Sequence, residues 1–501
     1  MKNKTQMKTQ VFCVGVCLLF GSLFLTSCKK AENLSENLAE NLGENLNPNN
    51  VAGFSRDATI DNEYWGIVPE IKNEQTAIAN RLNINRAIQA AHENGIYKIK
   101  LAKATYWFDA TSDKTTPSIG LLSNMQFNLN GATLRVMPNN LTHHYFIYIE
   151  SAENVKIFNG TITGDRYEHG YVPATYPTHE WCHGLRVGSN SSNYCKNIEI
   201  YDLVVQEFTG DGINVSWSKN VTIRNTEVSN ARRNGITIGS NTDETYIYDN
   251  YIHDTHGVSP ACGIDLEKAA GDGPKNIVIR NNRIYDCINP ETGAEQGQAM
   301  AISGGSYQVT VRDNDIRGVI GFAYAQKILI ENNRIWGHVG PPFTNPYWLN
   351  LIQYGPRNLW KPVNDVIIRN NTFDCAKIYF NCGGPAFQNI VIVGNQFNNG
   401  RVYTGNANTL LMDNTFNNES IYDADGNRVL GININAISFH ADADAGEMVT
   451  VYNVGNTITG PRTGVSYSGI DEEYLNVITD RATAASAYND LLKDFAWADV
   501  K

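Results

Sequence analysis

Asp265 and Glu267 stand two residues apart in the run CGIDLEKAAGDG (262–273), with Ile264 and Leu266 alternating with them. A period of two is the pattern of a strand, and it puts both carboxylates on one face. A third acid, Asp211, occupies a similar phrase, GDGINVS (210–216). Paired carboxyl groups are the machinery of glycoside hydrolysis. One acts protonated as the acid and the other ionised as base or nucleophile, roughly 5–5.5 Å apart for retention and 6.5–9.5 Å for inversion. Next-but-one residues of a strand stand roughly 7 Å apart, and crowded like charges raise one pKa. Asp211, Asp265 and Glu267 are therefore the candidate catalytic groups, and their spacing suits inversion.

Asp211 can meet Asp265 only if distant segments are stacked, and the chain repeats a phrase that would stack them. NVKIFNGTI begins at Asn154, NIEIYDLVV at Asn197, NVTIRNTEV at Asn220, ETYIYDNYI at Glu244 and NIVIRNNRI at Asn276. QVTVRDNDI, KILIENNRI, DVIIRNNTF and NIVIVGNQF continue it from Gln308, Lys327, Asp365 and Asn389. The anchors Ile157, Ile200, Ile223, Ile247, Ile279, Val311, Ile330, Ile368 and Ile392 are 19 to 43 residues apart. A floor near twenty with longer steps means a constant rung with variable loops. Each phrase reads as a short strand, an Asn-rich corner and another strand. Asn tolerates left-handed backbone, and stacked Asn side chains can bond from rung to rung. One rung cannot bury its apolar face; a stack can.

Over roughly residues 120–430 the chain resembles the right-handed parallel β-helix of the pectin-lyase-like superfamily. The expected class is thus all-β, a solenoid with an N-terminal capping helix and a C-terminal helical tail. The stretch NRLNINRAIQAAHENG (80–95) carries Ile84, Ala87, Ile88 and Ala91 on one helical face, suited to cover the first rung. The residues from about 470 read as the tail, packed against the far end of the solenoid. The expected organisation is N-terminal cap and first coils over 56–120, groove-bearing β-helix over 121–430, and closing coils and tail over 431–501.

The first residues read as an export signal, residues 1–27, with Lys2, Lys4 and Lys8 before an apolar run from Val11 to Leu25. LTSC, ending at Cys28, resembles the lipobox of bacterial lipoproteins, which implies lipid attachment at Cys28 and anchoring to the outer membrane, on its periplasmic or outer side. Residues 28–55, rich in ENL repeats, read as a flexible tether. A net charge of −11 without a basic tract argues against nucleic-acid binding. The lipid is the only membrane contact expected, and the protein is expected to be a monomer. Cys182, Cys195, Cys262, Cys287, Cys375 and Cys382 are too few for a disulfide framework in so long a chain, and none are at zinc-binding spacing.

A second phrase aligns the rungs: CHGLRVG (182–188), GDGINVS (210–216), RNGITIG (233–239), CGIDLEK (262–268) and QAMAISG (298–304). Leu185, Ile213, Ile236, Ile264 and Met300 point inward. Three polar columns result. They are Arg186, Asn214, Thr237, Asp265, Ala301; then Gly188, Ser216, Gly239, Glu267, Ser303; and, before the Gly, His183, Asp211, Asn234, Cys262, Gln298. Rungs about 4.8 Å apart turn these into a field facing a shallow groove. The loop 164–184, with Asp165, Arg166, His169, Glu180 and His183, is placed to wall it. Any one polar residue on an outer face has a structural explanation in solubility. Their convergence beside the longest loop points to a site, with His183, Arg186, Asn214, Arg233, Asn234, Lys268, Asp165 and Glu180 as substrate-binding candidates. His143, His144, His253 and His256 read as ordinary surface or loop residues.

Residues 181–268 are similar in layout to the polygalacturonases of glycoside hydrolase family 28, with Gly210-Asp211-Gly212, then Asn234-Gly235-Ile236-Thr237-Ile238-Gly239-Ser240, then Gly263-Ile264-Asp265-Leu266-Glu267-Lys268. That resemblance implies a catalytic carboxylate at Asp211. The family's paired aspartate is single here, its histidine is Asn234, and its basic grip on a uronate is Asp265/Glu267, so a neutral or amino sugar suits this chain better. A polysaccharide lyase is the alternative. It would take a base from Arg232, Arg233, Lys268 or His183, and Ca²⁺ held by Asp165, Glu168 or Glu180. A hydrolase needs no cofactor or metal. A glycan-binding or adhesin protein without catalysis is the third reading. Trp181, Trp217, Tyr167 and Tyr171 are the candidate sugar platforms for any of the three.

Overall fold

The computed structural model describes residues 51–500 apart from 56, 113–116, 172–178, 189–192, 286, 288–297, 337–348, 353–362, 375, 382–386, 406, 419–420, 423–427, 431–435, 442–447, 461–463 and 470–474. The expected signal, most of the tether, Cys28, Cys375 and Cys382 lie outside the described residues.

Short parallel strands wind into a β-helix. A 25-stranded sheet carries two adjoining faces. The third face is an eight-stranded sheet from Ile119–Leu121 to Ile320–Phe322, followed by a five-stranded one from Leu349–Ile352 to Val465–Gly469. The nine anchors named above stand opposite one another in unbroken register. All are buried in one continuous apolar core. Stacking of like on like is plain in Phe373, Phe397 and Phe416, whose rings lie 4.7 and 4.6 Å apart and nearly parallel.

The Asn-rich corners hold the register. Asn250, Asn282, Asn314, Asn333, Asn371, Asn395, Asn414 and Asn456 form a ladder in which each side-chain amide donates to the next Oδ1 at 2.9–3.0 Å. The residue before each rung of the ladder has a positive φ, as at Asn281 (54°) and Asn332 (56°), a conformation that Asn adopts more readily than most residues.

The helix Glu74–Glu93 buries Ala77, Asn80, Ile84, Ala87, Ile88 and Ala91 against the first coils. Asn80, though polar, is satisfied by the Val68 and Trp107 carbonyls and the Val68 amide. The other end departs from expectation: the tail opens as the strand Leu475–Ile478 and becomes helical only over Arg481–Lys493. Nor does that helix lie across the last rung. It packs on the outside of the large sheet, against Leu329, Ile367, Val391, Leu410 and Met412. Those outward positions are apolar because the helix covers them; the corresponding Thr222 and Tyr246 of earlier rungs are not so covered.

Candidate functional site

The eight-stranded sheet aligns the polar columns residue for residue. Arg186, Asn214, Thr237, Asp265 and Ala301 are partners on successive strands. Backbone bonds from Gly184 to Asp211, Gly212 to Asn234 and Gly235 to Cys262 carry the preceding column in the same register. The glycines are required here. A Cβ on Gly212 would meet the Gly235 carbonyl oxygen at 2.8 Å, and one on Gly235 the Gly263 oxygen at 2.7 Å.

At the centre is Arg233. Its Nη1 donates to Asp211 at 3.1 and 3.2 Å, and its Nη2 to both carboxylate oxygens of Glu267 at 3.1 and 2.9 Å. Its Nε lies 3.7 Å from Glu180. Burial disfavours this charge, yet Asp211 and Glu267 hold the guanidinium protonated beyond its ordinary range. Asp211 is fully buried and also accepts from Asn214 Nδ2 at 2.6 Å. Burial pushes its carboxyl up, but Arg233, His183 and the bonds from Asn214 and Thr237 outweigh that and hold it below the usual range.

Asp265 has the opposite environment. It is buried, accepts from Asn234 Nδ2 at 3.1 Å, and makes no ion pair among the described residues. Burial first, then the neighbouring Glu267, raise its carboxyl well above the ordinary value. Asn234 is itself fixed, donating to Thr237 and accepting from the Cys262 amide at 3.0 Å. Arg186 is buried too, donating to Asn214 and, at 2.8 Å, to Ser216.

The expectation that these columns face an open groove is therefore corrected. Asp211, Asn214, Asn234, Asp265 and Arg186 form a sealed polar layer. The Arg233 side chain lies over it, bridging Asp211 to Glu267. What reaches solvent is the rim: the side chains of Glu267 and Glu180 are 31% and 19% accessible. Burial pushes the Glu180 carboxyl up, Arg233 opposes it, and Asp211 and Glu267 add to it. Trp181, adjoining Glu180, is half exposed and meets His183 edge-on at 6.0 Å. His183 is buried, takes the Asp211 amide proton on Nδ1 at 3.2 Å, and is driven down to about 3 by burial against the opposing pull of Asp211. It lies buried beneath the rim, against Asp211.

Two candidates stand apart. Lys268 is exposed, with its ammonium 5.9 Å from the Tyr324 ring centroid. Asp165 belongs to a second buried cluster that the sequence did not announce. His169 Nδ1 lies 2.8 Å from Asp165, His169 Nε2 lies 2.8 Å from His179 Nδ1, and His179 Nδ1 lies 2.8 Å from the Leu141 carbonyl. His144, expected at the surface, is buried nearby and lowered to about 4 by burial. Nothing periodic marks His144 or His179, because loop and strand meet there only in the folded chain. The expected Ca²⁺ ligands are dispersed: Asp165 faces His169, Glu168 pairs with Lys72 at 2.6 Å, and Glu180 faces Arg233. Among the described residues no group of three or more His, Cys, Asp or Glu is placed to hold a metal ion. Cys182, Cys195, Cys262 and Cys287 are buried.

Residues 118–319 match the family model described as the right handed beta helix region. Two curated relatives come from Bacillus subtilis (strain 168). The SPbeta prophage-derived uncharacterized protein YorA is 29% identical over 295 residues, 55% of this chain and 49% of its own. The uncharacterized protein YclG is 28% identical over 278 residues, 50% and 45% of the two chains. The chain thus spans about half the length of the curated relatives it matches. Among solved structures, a tailspike protein double mutant of E. coli bacteriophage HK620 in complex with pentasaccharide superimposes with a TM-score of 0.51 at 12% identity, over 83% of this chain and 76% of that one. This is a likeness of fold: a right-handed parallel β-helix.

Proposed function

We propose that the protein is a carbohydrate-active enzyme that hydrolyses glycosidic bonds of a polysaccharide or oligosaccharide, with Glu180 as acid and Glu267 as base. The observation that carries this reading is the pair of solvent-reaching carboxyl groups on one guanidinium, one of them raised by burial. Contact with a single Arg233 keeps them inside the roughly 9.5 Å limit of an inverting pair. Different environments are how two carboxyl groups divide the roles of acid and base. Asp211 and Asp265, assigned catalysis on sequence grounds, act here from beneath. Asp211 anchors Arg233, and Asp265, whose carboxyl burial and the neighbouring Glu267 raise, resists adding a further negative charge to the layer. Trp181 and Tyr167, both exposed, offer ring faces to a sugar. That a tailspike of this fold was solved in complex with a pentasaccharide agrees with the ligand class.

The test is product analysis on a broad panel of plant, algal and host glycans. New reducing ends without ultraviolet-absorbing unsaturated sugars support hydrolysis. Unsaturated products would instead establish the lyase reading, and binding without turnover a glycan-binding protein. We further propose attachment to the outer membrane through lipid on Cys28. Incorporation of labelled fatty acid, abolished in Cys28→Ser, tests it.

A further inference from the structure

One corner round from Glu267 the surface opens into a cavity of about 300 Å³, lined in part by Tyr194, Lys196, Lys219, Asp243, Asp272 and Lys275. It is built by the rungs that build the candidate site. Lys196, Lys219, Asp243 and Lys275 are successive partners in register, on the strands that follow Arg186, Asn214, Thr237 and Asp265 respectively. The turn from Glu267 to Asp272 forms the wall between them. It is pinned where the Ala269 and Ala270 amides donate to Ser240 Oγ at 2.9 and 3.1 Å.

A chain with a net charge of −11 thus gathers three lysines in one cavity. Asp243 stands between two of them, 3.9 Å from Lys219 and 3.7 Å from Lys275, and relieves their repulsion. Lys196 has no ion-pair partner among the described residues. Lys219 also lies 3.4 Å from Glu244, and the Lys219 and Lys275 side chains are about half accessible, so an anionic ligand would compete with these carboxylates for their ammonium groups. We propose that this cavity is a subsite for a sugar bearing an anionic group, a carboxylate or a sulfate ester. The inference extends the glycan reading of the protein and rests on it. The mixture of groups favours a charged sugar over a simple anion. Lysines meet the charge, Asp243 and Asp272 accept from hydroxyls, and the exposed Tyr194 ring, 5.9 Å from Trp217, offers an apolar face. A polymer gripped here would present an adjoining residue to the rim of Glu267 and Glu180.

The test is calorimetric binding of matched neutral, uronate-bearing and sulfated oligosaccharides to the full chain and to a Lys196→Gln/Lys275→Gln variant. Anionic ligands should bind the native chain more tightly than neutral ones. That preference should fall about tenfold in the variant and weaken with salt. The uronate and sulfate arms identify which anion is held. Equal binding of neutral and anionic ligands, or a preference unchanged in the variant, overturns the subsite. Cleavage is scored separately on the same panel. Lysine-dependent binding without cleavage sinks only the hydrolase reading, and cleavage without it sinks only the subsite.

Discussion

The fully buried carboxylate of Asp211 lies 3.1 Å from Nη1 of Arg233. Removing Arg233 leaves Asp211 as an unpaired charge in a closed layer, whereas removing Asp211 leaves Arg233 its contacts with Glu267 and Glu180. Breaking such a pair costs about 3–5 kcal/mol. Arg233→Met should destabilise the chain by that order at neutral pH, as measured by denaturant unfolding. The sign of the pH dependence follows from the lowered Asp211 carboxyl. Its contribution is complete above the unfolded value and is lost as pH falls through the folded one. The gap between native and variant should therefore close on acidification. A gap constant with pH would mean that the Arg233 stem, not its charge, stabilises the fold.

Asp265 carries the reverse sign. Its carboxyl is raised in the folded chain, so above the unfolded value near 4 the unfolded chain releases a proton that the folded chain keeps. Stability contributed by Asp265 is complete at low pH and is lost as pH rises. Asp265→Asn keeps an oxygen for the Asn234 amide and removes the titration. It should match the native protein near pH 4 and exceed it at neutral pH, read as the denaturant midpoint across pH. It should also retain cleavage, since Asp265 does not reach solvent.

Loss of turnover should instead follow Glu180→Gln and Glu267→Gln, each by about 10²–10⁴-fold in kcat, with the fold intact by circular dichroism. A general acid must be protonated, so kcat/KM should fall as pH rises through the Glu180 value, which burial places above that of an ordinary glutamate. Arg233 opposes that rise. Arg233→Met, where it retains activity, should therefore move the alkaline limb to higher pH. A limb that stays put would remove Glu180 from the role of acid.

Much of this was legible in the chain. The anchors and the Gly-apolar phrases gave the register because stacking in this fold pairs like with like, so that aligned text becomes adjacent residues. Arg186, Asn214, Thr237 and Asp265 fell into one column for that reason. Depth was not legible. A column that points away from the apolar core was read as open, yet a side chain as long as Arg233 folds back over it to bridge Asp211 and Glu267. The Asp165–His169–His179 chain escaped for a related cause, since it joins residues that no repeat aligns. The tail was misplaced because a helix on the flank and one across the end have the same amphipathic text.

The Asn ladder makes the last prediction. Asn333 Oδ1 accepts from the Asn314 amide and side chain, each at 2.9 Å, while its own Nδ2 donates to Val311, Glu331 and Asn371. Asn333→Ala leaves these buried groups without partners, at about 1–3 kcal/mol for each one that stays unpaired. Asn333→Asp keeps the acceptor and loses the donor, and at neutral pH it adds a charge beside two backbone carbonyls. It should therefore be the worse substitution at pH 7 and recover toward the native midpoint when acidified, because a protonated carboxyl can donate again. The measurement is the unfolding midpoint of both variants against pH. If Asn333→Ala unfolds at the native midpoint, the corners stack by packing alone and the ladder contributes nothing to register.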